Sequence, residues 1–292
     1  MNVLGQGKMQ FVDIKNDIAF RKIFGNEKKK VILISFLNAI MQLEGENRIA
    51  DVSIANPYQS PILPNFKATI LDVRAKDLKD NTFIVEMQVA DVDGMDKRLL
   101  YYTSKEYSQQ IESGEKYTEL NPVIFIGIFD FDFSEGDYLS NHAICNVKTG
   151  ERIIKDMDFY FIELPKFKKQ LNELNNVTDK WIYFIKEAEN LNVIPDNIED
   201  NGLQEAYLYA NKNTWSMEEL RAYDYAGMRE QDERGKLSKA IRVAVKDAVE
   251  VAVKDAVKDT KIGMAKKLKE SGIDIKTIIE ATGLTEKEIN EL

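Results

Sequence analysis

One cysteine and one histidine stand among 292 residues. Cys145 alone cannot close an internal disulfide or build a cysteine metal cage, and His142 alone excludes a multi-histidine centre. Any bound metal takes oxygen ligands. Both residues lie in "SNHAICNVKTG", which alternates as a strand, so Cys145 is expected to pack and His142 to sit exposed or satisfied. Long apolar runs are missing too: the longest, Val31–Leu37, is interrupted by Ser35 and falls far short of the roughly 20 residues of a membrane-spanning helix. The opening "MNVLGQGKMQFVDIKND" lacks a charged-then-apolar export pattern, so a cytoplasmic location is expected. Basic residues are in deficit, 40 Lys and Arg against 49 Asp and Glu, for a net charge of −9. This excludes a protein that coats nucleic acid by neutralising phosphates over a broad surface, and it leaves room for an enzyme with a local basic groove. Candidate pieces of such a groove are Lys28–Lys30, then Lys97, Arg98 and Lys105, then Lys166, Lys168 and Lys169; a solvated surface explains each equally well.

With 44% hydrophobic and 30% charged residues, the chain can bury one large core, or a core with a smaller helical appendage. "KNDIAFRKIFGNEKKKVILISFLNAIMQ" predicts two helices, the first capped by Asn16 or Asp17, with a break at Gly25 and Asn26. "IADVSIANPY", "FKATILDVRAKDL" and "NTFIVEMQVA" then switch to period two and predict three strands. "DGMDKRLLYYTSKEYSQQIESGEKY" returns to helical spacing, "NPVIFIGIFDFD" is a strand buried on both faces, and "HAICNVKT" and "DFYFIELPK" predict two more strands. The order belongs to a mixed α/β domain with helices packed on a central sheet. After about residue 170 the pattern is helical. Residues 1–190 are read as the α/β domain, 191–235 as a helical extension and 236–292 as a long repeat helix with a C-terminal helical hairpin. In the repeat "VAVKDAVEVAVKDAVKDT", Val245, Val249, Val253 and Val257 recur every fourth position, a longer period than the 3.6 of a straight helix, which suits self-association as a homo-oligomer. A solvated Ala/Val/Lys helix fits the same pattern. The final "ESGIDIKTIIEATGLTEKEINEL" predicts two short helices joined at Gly283, with a capping box from Thr285 to Glu288. Glu286, Glu288 and Glu291 against Lys287 give it the wrong sign for a DNA major groove, so it reads as a packing or dimerisation element.

"LDVRAKDLKDNTFIVEMQ", residues 71–88, holds acids on both arms of a predicted hairpin. Alternation puts Leu71, Val73, Ala75, Val85, Met87 and Val89 on one face, and Asp72, Arg74, Lys76, Ile84, Glu86 and Gln88 on the other. A three-residue loop at Lys79, Asp80 and Asn81, with Asn81 left-handed, would set Asp72 across from Gln88 and Arg74 across from Glu86. Asp72 and Glu86 then converge within about 8 Å, and their repulsion needs compensation. Either Arg74 bridges both, or a divalent cation does, with waters and a substrate phosphate completing its shell.

An Asp on one strand, a turn, then Glu-x-Gln on the next, framed by helix, three strands, helix and strand, resembles the PD-(D/E)XK nuclease superfamily. More narrowly, "NDIAFRKIFG", "LDVRAKD", "VEMQ", "RLLYYTSKEYSQQIESGEKYTELNPVIFIGIFD" and "RAYDYAGMRE" resemble the Rpn family of recombination-promoting nucleases, also called PD-(D/E)XK nuclease family transposases, over roughly residues 10–235. The resemblance implies a restriction-endonuclease-like core with a mixed central sheet flanked by helices and followed by a helical C-terminal extension. It implies Asp72 and Glu86 as ligands of Mg²⁺ or Mn²⁺, and Gln88 where the wider superfamily usually has lysine. Asp17 matches an acidic position that touches the metal through water; a helix N-terminal acid paired with Arg21 is the alternative. Arg98, Tyr101, Tyr102 and Lys105 recur at helical spacing and are candidates to face a DNA phosphate, while Tyr101 or Tyr102 equally suits core packing. The implied activity is metal-assisted hydrolysis of DNA phosphodiester bonds with weak sequence preference. Two rivals remain: a catalytically silent DNA- or partner-binding protein that keeps this fold, and an assembly protein built around the valine repeat.

Overall fold

The first helix begins where an Asn stands before an apolar-periodic run. The Asn16 side chain accepts from the backbone N–H groups of Ile18 and Ala19, which are among the donors a helix start leaves without partners. Helix α1 (Asp17–Phe24) ends at Gly25, and α2 (Val31–Ile40) is buried along nearly its whole length. The computed structural model describes residues 9–59 and 69–292. They fall into two compact units, one ending at Met228 and the other running Arg229–Leu292.

In the first unit the strands are β1 (Val52–Ile54), β2 (Tyr58–Gln59), β3 (Thr69–Ile70), β4 (Val73–Asp77), β5 (Thr82–Gln88), β6 (Val123–Phe129), β7 (Leu139–Ala143) and β8 (Met157–Glu163). Six of them form one mixed sheet in the order β1-β4-β5-β6-β8-β7, and β2 pairs with β3 beside it. β5, β6 and β8 run parallel, with antiparallel strands at both edges. Helix α3 (Met95–Ser108) connects β5 to β6, as a parallel pair requires a crossover. Helices α4 (Val177–Glu187) and α5 (Asn201–Ala210) follow, each capped by an acceptor side chain, Asn176 and Asp200 respectively.

Two apolar layers sandwich the sheet. Val73, Ala75, Phe83, Val85, Ile126 and Ile162 pack with Phe20, Phe24, Phe36, Trp181 and Tyr207 of α1, α2, α4 and α5. On the opposite face Ile84, Phe125, Phe129 and Phe161 pack with Met95, Leu99 and Tyr102 of α3. β6 is buried on both faces, as its unbroken apolar run demands. The long α6 (Met217–Glu270) begins in this unit.

The second unit contains the rest of α6, α7 (Ile275–Thr282) and α8 (Glu286–Asn290). Ala265, Ile278, Leu284 and Ile289 make its small core, so the terminal helices pack on their own stretch of α6. Gly283 takes φ +65° between them, and the Thr285–Glu288 capping box is formed. Val245, Val249, Val253 and Val257 are 50–56% exposed along α6.

Five local expectations change. The hairpin loop sits one residue earlier, at Leu78–Asp80, because Asp80, not Asn81, takes the left-handed conformation (φ +59°), and the Asp77 side chain accepts from the N–H groups of Lys79 and Asn81. The register therefore pairs Arg74 with Ile84 and Val73 with Val85, two residues away from the expected alignment, which preserves the facing of both strands. Leu71 leaves the Val73 face and joins the α3 layer. The strand expected over "HAICNVKT" lies earlier, at β7, since Asn146 accepts from Lys148 N–H and Gly150 takes φ +73°, a turn; Cys145 is exposed there instead of packed. His142 is exposed on β7 and lies 4.8 Å from the Phe161 ring. The first residues of "FKATILDVRAKDL", 66–68, lie outside the described residues. No described helix is long and apolar enough to cross a membrane.

Candidate active site

The β4–β5 ladder stops at Val73 and Val85, one step short of the two acids. Beyond it, side chains take over the backbone pairing: Asp72 N–H donates to Glu86 Oε1 at 3.0 Å, and Met87 N–H donates to Asp72 Oδ2 at 2.9 Å. The two carboxylates thus satisfy strand donors that would otherwise be orphaned at the edge of the core. The remaining oxygens also have donors. Asp72 Oδ1 accepts from Arg21 Nε at 3.2 Å and Nη2 at 2.8 Å, and Glu86 Oε2 accepts from the Gln88 amide at 3.3 Å.

Glu86 is 3% exposed. Burial and the Asp72 charge push its carboxyl up to about 8, against the pull of the Asp72 backbone N–H and the Arg98 and Arg21 guanidinium groups. The displacement is that of a carboxyl buried beside a second anion.

Helix α3 supplies the other wall. Arg98 and Tyr102, one turn apart, face the acids: Arg98 Nε donates to Tyr102 Oη at 2.7 Å, and its guanidinium carbon lies 5.2 Å from the Tyr102 ring centre. The Tyr102 phenol is held above its ordinary value by burial, and the Glu86 and Asp72 charges push the same way. Tyr101 is turned outward with its ring 6.4 Å from that of Tyr102. Lys105 is buried, donates to the Gln59 carbonyl at 3.0 Å, and has its ammonium pulled down by desolvation. Asp17 is exposed in the first turn of α1, and its charge reinforces that of Asp72 on Arg21.

The Arg74 bridge between the two acids does not form. With Arg74 opposite Ile84, its guanidinium reaches α3 and forks onto Glu106, at 2.9 Å from Nε to Oε2 and 2.5 Å from Nη2 to Oε1. Gln59 adds a third donor to Glu106 at 2.8 Å. The sequence pattern assigns Glu106 no role and offers Arg21 only as a partner for Asp17. The available clue for Arg21 was its position in "NDIAFRKIFG", four residues after Asp17, yet nothing local links it to Asp72 fifty-one residues on.

The donor set suits a hard divalent cation held by two carboxylates, with solvent and substrate oxygens for the rest, the usual manner of Mg²⁺. It does not suit an all-protein cage: among the described residues no group of three or more His, Cys, Asp or Glu side chains is placed to hold an ion. The burial of Glu86 directly beside Asp72, each carboxylate bonded to the other arm of the hairpin, is the observation that favours the fit.

A family model described as PD-(D/E)XK nuclease family transposase matches residues 14–240. Neither the curated proteins nor the solved structures yield a match. The matched segment contains the whole described sheet, α1, α3 and the acids Asp17, Asp72, Glu86 and Glu106, and the mixed six-stranded sheet flanked by helices is the α/β fold that family implies. The chain therefore belongs to the PD-(D/E)XK nuclease family transposases.

Proposed function

We propose that this protein is a Mg²⁺- or Mn²⁺-dependent DNA endonuclease of low sequence specificity, cytoplasmic and linked to recombination or mobile elements. Asp72 and Glu86 would hold the ion. When bound there, it supplies Lewis-acid polarisation of the scissile phosphate and activates a water for in-line attack. The chain's own residues do the rest. The Gln88 amide, already on Glu86, orients a water or phosphate oxygen without adding charge. Arg98, fixed by Tyr102, lends a positive field to the developing phosphorane charge. Asp17, exposed in the first turn of α1, would reach the ion through water. Tyr101 would line the DNA approach on α3, whereas Lys105 is buried against the Gln59 carbonyl and is not assigned to it.

The reading is carried by the meeting of Asp72 and Glu86 at the end of the ladder, faced by two guanidinium groups. Purified protein incubated with supercoiled plasmid and Mg²⁺ should nick it, while Asp72→Asn and Glu86→Gln should lose at least about a hundredfold of that rate. Equal nicking by all three would remove the assignment. A second reading, a catalytically weak or inactive DNA- or partner-binding protein with this fold, draws on the neutral Gln88 and on the donors that occupy all four carboxylate oxygens. It predicts DNA binding without nicking in the same assay. The exposed valines of α6 support a homo-oligomer through the C-terminal helices.

A further inference from the structure

We propose that Arg21 is a substrate-binding residue, its guanidinium holding a non-bridging oxygen of a nucleic-acid phosphodiester at this site. The inference rests on the nuclease reading above.

Two arginine–carboxylate pairs in the same unit show the difference between a structural and an available guanidinium. Arg74 meets both oxygens of Glu106 in a two-point fork, closed further by Gln59, with the carboxylate 2% exposed. That is the geometry of a neutralised pair. Arg21 instead aims both Nε and Nη2 at the one Oδ1 of Asp72, while Oδ2 is taken by Met87 N–H. A guanidinium carries five N–H donors. Two engaged on a single oxygen leave the Nη1 end and the second Nη2 hydrogen for another acceptor.

Exposure gives that acceptor a direction. The Arg21 side chain is 42% exposed over an Asp72 that is 9% exposed, so its outer edge meets solvent just where a ligand would approach the buried acids. Arg98 is differently committed, its Nε on the Tyr102 hydroxyl and its guanidinium carbon 5.2 Å from the ring centre.

The helix that carries Arg21 is fixed in place. Next to it, Lys22 pairs with Glu219 and lies 5.1 Å and 4.6 Å from the ring centres of Tyr209 and Trp215. At the helix end, Gly25 N–H donates to the Arg21 carbonyl at 2.8 Å, and a side-chain carbon at Gly25 would fall 2.7 Å from that same oxygen, so glycine lets the last turn of α1 close. A guanidinium anchored to a buried acid on a rigid helix, with its free edge outward, is preorganised for an oxyanion such as a phosphodiester.

The test uses a fluorescently labelled DNA duplex and the full chain on a Glu86→Gln background, in chelator, by anisotropy over a salt series. Adding Arg21→Gln should weaken binding by roughly tenfold and flatten the log-affinity against log-salt slope by about one, the signature of one lost phosphate contact. Arg21→Lys should keep the slope and lose affinity several-fold, because a point charge replaces a fork. Where Arg21→Gln fails to give a folded protein by circular dichroism, the lysine variant decides: weaker binding at unchanged slope supports the assignment, and unchanged affinity overturns it. Equal affinity and slope for Glu86→Gln with and without Arg21→Gln would make Arg21 a counter-ion of Asp72 alone and leave the nuclease reading standing. A folded Glu86→Gln protein that binds no DNA at low salt would overturn both.

Discussion

Glu86 is where burial and charge conflict most directly, and the conflict has a sign. Its carboxyl in the fold is raised from an ordinary 4.5 to about 8, so the fold holds its proton where the unfolded chain releases it. The stability this contributes is complete below pH 4.5 and is lost as pH climbs through about 8, where an anion must be buried beside Asp72. Thermal melts in chelator between about pH 5 and about pH 9 should show Glu86→Gln gaining on the native chain as pH rises, with added Mg²⁺ narrowing the gap at the alkaline end. Parallel melting curves would contradict this. The Arg74–Glu106 pair invites a different experiment. Glu106→Ala strands a guanidinium against α3 and should cost about 3–5 kcal/mol in urea unfolding, whereas replacing Arg74 and Glu106 together by Met and Leu should cost much less.

At the scale of elements, α2 and α5 approach so closely that a side-chain carbon at Gly202 would lie 2.3 Å from Ser35 Cβ and 2.6 Å from the Val31 carbonyl oxygen. Backbone cannot yield as a flexible side chain can, so Gly202→Ala should destabilise the protein by about 1–3 kcal/mol, measured by chemical denaturation. Gly235→Ala, in open space on α6, should instead stabilise by about 0.5–1 kcal/mol. Element type was legible in the sequence wherever periodicity and caps agreed: Asn16 before α1, the unbroken apolar β6, the Thr285 capping box. What escaped was chemistry that periodicity does not encode. Asp80 and Asn81 both tolerate left-handed backbone, and the choice between them was made by hydrogen bonds to Asp77, which moved the register by two and sent Arg74 to Glu106. The acids Asp72 and Glu86 could be picked out because two residue types recur at hairpin spacing; Arg21 could not be tied to them, since its contact spans separate elements.

For the whole molecule, a net charge of −9 means that the proposed binding to nucleic acid would have to be local. The slope of log affinity against log salt should be shallow, about −2 to −4, in contrast to the steep dependence of proteins that neutralise many phosphates. Assembly is testable separately: if the exposed valine stripe pairs copies of the chain, Val249→Glu with Val253→Glu should bring the sedimentation mass down to that of a 33.5 kDa protomer. The unzipped end of the β4–β5 ladder also gives the molecule a built-in sensor. Because the Asp72 and Met87 amides lean on the same carboxylates that would grip a cation, ligand loading must alter how those two protons are shielded. Their nitrogen–proton resonances and deuterium uptake would then register site occupancy directly, with no turnover required.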